Sequence, residues 1–341
     1  MRPLRFALFG TGFWSRYQLA GWKEVGGVEC IALYNRTEQK ARDLAACAGL
    51  NARLYQDSCE LLEREHLDFI DIVTSPETHG RFVALAAARG LPVICQKPMA
   101  SSYGEAIQMV ETCQRTGVSL YINENWRWQA PIRALKMILE DGVIGAPYRA
   151  RLRMVSGFPV FDNQPFLREL EQFLLMDIGP HILDVVRFLF GEPVSLYCST
   201  QKVQRNICGE DLATIMLRFA SGETVICEMG YPGTPLEVDY FPQTFALIEG
   251  ERGSIELGPN YSLRVTTAAG TTVTRAAPSF YSWADPAYEV VHASIVPCQA
   301  DLLAGLRNEK LPETTGEDNL RTVRLVHEAY ESAKRDEVIR L

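Results

Sequence analysis

Through the first third of the chain, short apolar, β-branched or aromatic runs alternate with stretches of helical period. The runs fall at residues 5–9, 28–34, 69–73, 92–95 and 118–122. Between them, residues 37–48 open on Thr37-Glu-Gln-Lys, a helix-start signal, and residues 78–89 stop at Gly90-Leu-Pro. Strand and helix alternating at this spacing imply right-handed βαβ units and a parallel sheet. Residues 1–123 are therefore expected to form a doubly wound α/β domain.

After residue 124 the pattern changes. A helix is expected over 131–140, ended by Asp141-Gly142, then a strand over 148–155 and a helix over 177–190 stopped by Gly191-Glu-Pro. Strand-like runs follow at 194–203, 212–219, 224–228, 245–249, 254–257 and 263–267, joined by Gly, Asn and Pro signals of an antiparallel meander. Helices return at 288–308 and 316–334. Residues 124–341 thus read as an α+β domain with a large, mostly antiparallel sheet. Its uncovered face needs a partner, and a homodimer or homotetramer through that face is expected.

Composition narrows the classes of function. The 341 residues suffice for two domains, and 47% apolar with 22% charged residues matches globular proteins rather than disorder. The net charge is -8 with Lys and Arg scattered, so nucleic acid and membrane surfaces are not expected partners. The nine cysteines include no CxxC, and the closest pair is Cys198 and Cys208, so no metal site is expected and the thiols suit a reducing cytoplasm. No apolar run reaches the ~18 residues of a membrane span. The apolar start reads as a first strand because a glycine turn and aromatics stand where a signal-peptide cleavage site would be.

The chemistry begins right after the first strand, at Gly10-Thr11-Gly12-Phe13-Trp14-Ser15. A GxG is often only a turn. Placed between a first strand and a helix in a run of βαβ units, it is expected to hold a dinucleotide pyrophosphate at the helix N-terminus, with Ser15 where a third glycine would pack. The domain is then of the Rossmann type. The second strand ends at Asn35-Arg36-Thr37, where the adenosine ribose would be read. Neither Asn35 nor Arg36 repels a 2'-phosphate, so NADP stays open; NAD is expected, because Asn35 can bond a ribose hydroxyl and no second basic residue stands beside Arg36. Thr74, Pro76 and His79 end one strand, and Gln96 and Lys97, before Pro98, end the next. Both segments sit at the carboxyl edge, where such folds bind ligands. His79 reads equally well as a hydrogen-bonder at the start of a helix.

Taken in order and spacing, these motifs resemble the glucose-fructose oxidoreductase, inositol dehydrogenase and rhizopine-catabolism (Gfo/Idh/MocA) family along nearly the whole chain. The resemblance rests on Gly10–Trp14, on Thr74–His79, on Gln96-Lys97-Pro98 in place of Glu-Lys-Pro, on Asn125-Trp126-Arg127-Trp128, and on Asp177-Ile-Gly-Pro-His181-Ile-Leu-Asp184. Within the family, the stretches 12–22, 33–37 and 124–128 look most like the D-apiose dehydrogenase branch. The resemblance implies an NAD(P)-dependent dehydrogenase of a sugar or polyol hydroxyl, with Lys97, Asp177 and His181 around the reacting carbon. The departure at Gln96 removes the carboxylate that would sit beside Lys97.

Read from the residues, Asp177 and His181 are four apart at the expected start of a helix and would share one face. His181 suits proton transfer near neutral pH, and Lys97 suits an alkoxide. A helix cap plus a buried histidine is the plainer alternative. Asn125, Trp126, Arg127 and Arg153 are expected to meet the sugar, and residues 158–166, with Asp162 and Asn163, are expected to form a loop over the pocket. Two other functions stay open: transient oxidation by bound cofactor in a hydrolase or epimerase, and a dinucleotide-sensing regulator.

Overall fold

The computed structural model of the chain describes residues 2–341, with the side chain of Asn163 also outside the description. Its chain divides into two units. One comprises the chain up to Glu124 together with Ile295–Val323, the other Asn125–Ser294 with Arg324–Leu341.

The first unit follows the expected alternation: β1 (Leu4–Phe9), α1 (Ser15–Val25), β2 (Val28–Tyr34), α2 (Glu38–Ala48), β3 (Arg53–Tyr55), α3 (Ser58–Arg64), β4 (Phe69–Ile72), α4 (His79–Ala87), β5 (Val93–Gln96), α5 (Tyr103–Thr116) and β6 (Leu120–Asn123). The strand order is β3-β2-β1-β4-β5-β6, and every neighbouring pair is parallel. All residues of β4, β5 and β6 are buried: β4 and β5 are inner strands covered on both faces, and the edge strand β6 is covered along its free side by residues 314–315. The elements β3, α3 and α5 were not among the expected ones. Thr37 stands at the N-cap of α2, yet its side chain makes no capping bond; Ser102 caps α5 by accepting from the Glu105 amide.

Residues 295–323 group with this sheet rather than with the rest of 124–341. The Ile122 amide donates to the Thr314 carbonyl at 2.8 Å, Gln299 Nε2 donates to the Gln18 carbonyl at 2.9 Å, and Leu320 and Val323 pack into the core. The sequence marked the late helices without specifying the sheet against which they pack.

In the second unit α6 (Ala130–Glu140) precedes β7 (Pro147–Val155), α7 (Val160–Asn163), α8 (Leu174–Asp177) and α9 (Gly179–Phe190). Strands β8 (Pro193–Gln201), β9 (Leu212–Phe219), β10 (Thr224–Gly230), β11 (Phe245–Gly250), β12 (Gly253–Gly258), β13 (Ser262–Thr267) and β14 (Gly270–Arg275) follow. Helices α10 (Glu289–Leu306) and α11 (Gly316–Arg335) and the short β15 (Ile339–Arg340) complete the chain. The nine-stranded sheet has the order β14-β13-β12-β11-β7-β10-β9-β8-β15. It is a split meander: β7 enters between β11 and β10 and runs parallel to β10.

Two local expectations change. The helix expected over 177–190 is interrupted at Ile178, so Asp177 closes the separate turn α8 while His181 lies in α9. Pro180, near the start of α9, has no amide with which to continue the ladder backwards. The expected loop 158–166 is instead α7 followed by a 3₁₀ turn, Pro165–Glu169; Val160, Phe161 and Leu167 are buried and hold it down.

Candidate active site

At the carboxyl edge of the first sheet, the β1–α1 turn is built for close backbone approach. Gly10 has φ +102°, and a Cβ there would lie 2.8 Å from the Val73 carbonyl group and 2.9 Å from the Thr74 amide. Only glycine fits. Gly12 is exposed, with nothing within 4 Å of where a Cβ would stand. Ser15 fills the third position: it is buried, and its Oγ donates to the Gly10 carbonyl at 3.1 Å. The first turn of α1 carries no acidic residue, and the buried Thr11 Oγ1 has no hydrogen-bond partner among the described residues. An open glycine, an unopposed helix N-terminus and a waiting hydroxyl fit the pyrophosphate of NAD. Phe13 is exposed beside this turn and Trp14 half-buried.

Asn35 and Arg36 follow β2. Asn35 Nδ2 donates to the Thr37 carbonyl at 2.9 Å, and Arg36 is exposed. On the next strands, Thr74 Oγ1 accepts from Thr78 Oγ1 at 2.7 Å, and Pro76 opens a 3₁₀ turn. His79 is buried, with Nε2 3.0 Å from the Thr74 carbonyl and Nδ1 3.2 Å from the Met99 carbonyl. Burial pulls its pKa below the ordinary value despite those carbonyls, and the neutral ring, with a single N–H, donates to one of the two at a time. Gln96 Oε1 accepts from the Lys97 amide at 2.8 Å, fixing the backbone at Lys97, which is half-buried.

In the second unit, Asp177 is half-buried and His181 buried. Glu210, which sequence reasoning passed over, holds the start of α8: its carboxylate accepts from the Phe173 and Leu175 amides at 3.3 and 3.0 Å and from the Tyr330 hydroxyl at 2.7 Å. Tyr231 is buried near Asp177; burial, then that negative charge, pushes its phenol well above the usual range. The turn Trp126–Trp128 lies along α9. The Trp126 ring stacks on His181, and Arg127 forks onto Asp184. Asn125 is buried, its Nδ2 donating to the Val291 carbonyl at 3.0 Å and to Ser294 Oγ at 2.9 Å. Strand alternation puts Arg153 on the exposed face with Arg149 and Arg151, whereas Leu152 and Met154 point to the buried side. Nothing in the sequence distinguishes an arginine at an exposed strand position from one turned inward until the register is known.

Two family models match the chain: an oxidoreductase family with an NAD-binding Rossmann fold over residues 4–124, and the Gfo/Idh/MocA C-terminal domain over 132–256. A D-apiose dehydrogenase of Paraburkholderia graminis is 40% identical over all of this chain and 90% of its own length. A second, from Rhizobium rhizogenes, is 39% identical over 98% of this chain and 96% of its own. An oxidoreductase from Agrobacterium radiobacter, crystallised with NAD+, L-tartaric acid and magnesium, superposes with a TM-score of 0.96 at 38% identity over 99% of this chain and 98% of that one. The chain belongs to the Gfo/Idh/MocA oxidoreductase family, with an N-terminal NAD-binding domain and the family's C-terminal domain. It is an NAD(P)-dependent oxidoreductase of the class that acts on CH–OH groups.

Proposed function

We propose that the chain oxidises a hydroxyl of a small sugar, D-apiose before others, with NAD rather than NADP. The observation that carries this reading is the 40% identity to a D-apiose dehydrogenase along the entire chain. When bound, NAD supplies a nicotinamide able to take hydride from the carbon that bears the hydroxyl. His181 removes the hydroxyl proton, Lys97 holds the oxygen as alkoxide character develops, and Asp177 accepts a hydrogen bond from the sugar. Gln96 serves Lys97 through its backbone, not by charge. Asn35 supports NAD: its Nδ2 bond to the Thr37 carbonyl orients the side chain, and its Oδ1 offers an acceptor for a ribose hydroxyl.

The remaining expectations extend the same reading. No helix among the described residues is long and apolar enough to cross a membrane, and no disulfide joins the cysteines among them; a reducing cytoplasm fits. The open face of the second sheet carries Met216, Ile226 and Leu247 in one cross-strand row with Arg151, and Met216 and Leu247 are exposed. A homo-oligomer through that face would cover them, and a monomer in light scattering at working concentration rejects it.

The test is NADH formation from D-apiose, D-xylose, myo-inositol and L-tartrate, each repeated with NADP+. D-apiose with NAD+ should give the highest kcat/KM, and His181→Ala should lower kcat about 100-fold with KM for NAD+ unchanged. A higher kcat/KM on inositol or tartrate reassigns the substrate, and near-native turnover of His181→Ala removes the base.

A further inference from the structure

We propose that Trp126 is a positioning residue for His181, and that the Arg127–Asp184 pair sets the register in which the two rings meet. The inference rests on the reading of His181 as the base. Two adjacent contacts join the turn Trp126–Trp128 to α9. The indole of Trp126 lies over the imidazole of His181 with ring centroids 4.4 Å apart and planes 7° apart. The next residue, Arg127, reaches Asp184 with the Nε–Nη2 edge of its guanidinium, Nε to Oδ2 at 2.7 Å and Nη2 to Oδ1 at 2.5 Å. Asp184 follows His181 by three positions, so on a helix the two side chains share a face.

Each contact supplies what the other lacks. A flat ring pressed on the imidazole excludes tilted settings of its plane and so fixes the plane that contains both ring nitrogens. Stacking alone tolerates sliding, because dispersion varies little as one face moves over another. The planar two-bond fork tolerates little, so it locks the turn at one position along α9. Burial makes the lock strict: Trp126, Arg127, His181 and Asp184 are 3%, 5%, 4% and 0% exposed. Further along the helix, Arg187 Nη1 lies 3.9 Å from Asp184 and the Phe188 ring lies beneath the Arg127 guanidinium at 5.7 Å, which steadies the fork. Trp126 and Arg127 therefore act through His181 rather than on the sugar.

The test uses the full-length enzyme with NAD+ and D-apiose, together with carbon-13 histidine NMR in which His181→Ala identifies the signal. In Trp126→Leu, kcat should fall about 10- to 100-fold with KM for NAD+ unchanged. The His181 ring-proton signal, shielded by the indole face, should move downfield in the same variant. Trp126→Phe keeps a flat face and should recover most of kcat and most of the shielding. Arg127→Lys keeps the charge without the fork; it should lower kcat and move the His181 signal, and it serves as the second probe if Trp126→Leu does not fold. A native kcat in Trp126→Leu, or an unmoved His181 signal, overturns the proposal, and the same results in Arg127→Lys overturn its register half. If His181→Ala itself turns over normally, the base assignment falls while the NMR arm still judges the stack.

Discussion

Asp71 in the first unit and Asp184 in the second are both completely buried aspartates, and they behave as opposites. Asp184 faces the fork of Arg127, a permanent cation. Asp71, on β4, meets neutral donors: Trp22 Nε1 at 2.7 Å and Gln18 Nε2 at 2.8 Å, both on Oδ2. Burial pushes the Asp71 carboxyl up to about 6, and the donors only partly restrain it. Burial alone does not decide what a carboxyl does. Given a cation it becomes a rigid link between two elements; given dipoles it takes up a proton within reach of physiological pH.

Removing the cation should have the largest effect. Arg127→Met takes the bidentate cation from the buried Asp184 carboxylate and leaves it the more distant Arg187, which should cost about 3–5 kcal/mol in urea unfolding. Replacing Asp184 by Leu in the same chain should return part of that loss; a single variant within ~1 kcal/mol of native would show that the pair is not the link described here.

Asp71→Asn should act with the opposite sign. Between 3.8 and about 6 the native protein holds a proton that the unfolded chain has lost, so stability falls as pH rises through that window. Above it the ionised form costs at most about 3 kcal/mol. The amide keeps an acceptor for Trp22 and Gln18 without that penalty, so the variant should melt higher than native at neutral pH and lose the slope across the window. A native slope that runs upward with pH contradicts the assignment.

The smallest effect sharpens the contrast from outside. Arg149 pairs with Glu249 at 2.5 Å on the exposed sheet face, in a geometry as good as that of Arg127 with Asp184. In the isolated subunit water screens it, so at a dilution where light scattering shows a monomer Arg149→Gln should leave the thermal midpoint unchanged within scatter. A drop approaching that of Arg127→Met at higher concentration would mean that this face is covered in solution.

The two sites also differ in how much the sequence disclosed. The cofactor edge was legible because its parts are backbone features tied to strand ends: Gly10 must be glycine where β1 meets β4, and Thr74 and Gln96 stand where consecutive parallel strands stop. The second unit was legible as a list of strands but less so as a site. Asp177 and His181 seemed to occupy one helix until Ile178 separated them, and β14 escaped because all six of its residues are exposed and carry no burial period. Glu210 supports α8 through a carboxylate 35 residues away in sequence from Leu175, a relation no local pattern contains.

What the sequence determined by itself was periodic and local: a parallel α/β unit, a mostly antiparallel sheet, the glycine turn, and the residue types present at each strand end. Those follow from steric limits on the backbone and from the two periods at which side chains reach a core. Tertiary structure decided that residues 295–323 pack with the first sheet, that Arg153 faces outward, and that Arg127 reaches Asp184 across 57 residues of chain. The reason is physical. A side chain's partner is set by which elements pack together, and a buried charge takes its meaning from that partner, so Asp71 and Asp184 read alike in the sequence and differ only once the chain has closed around them.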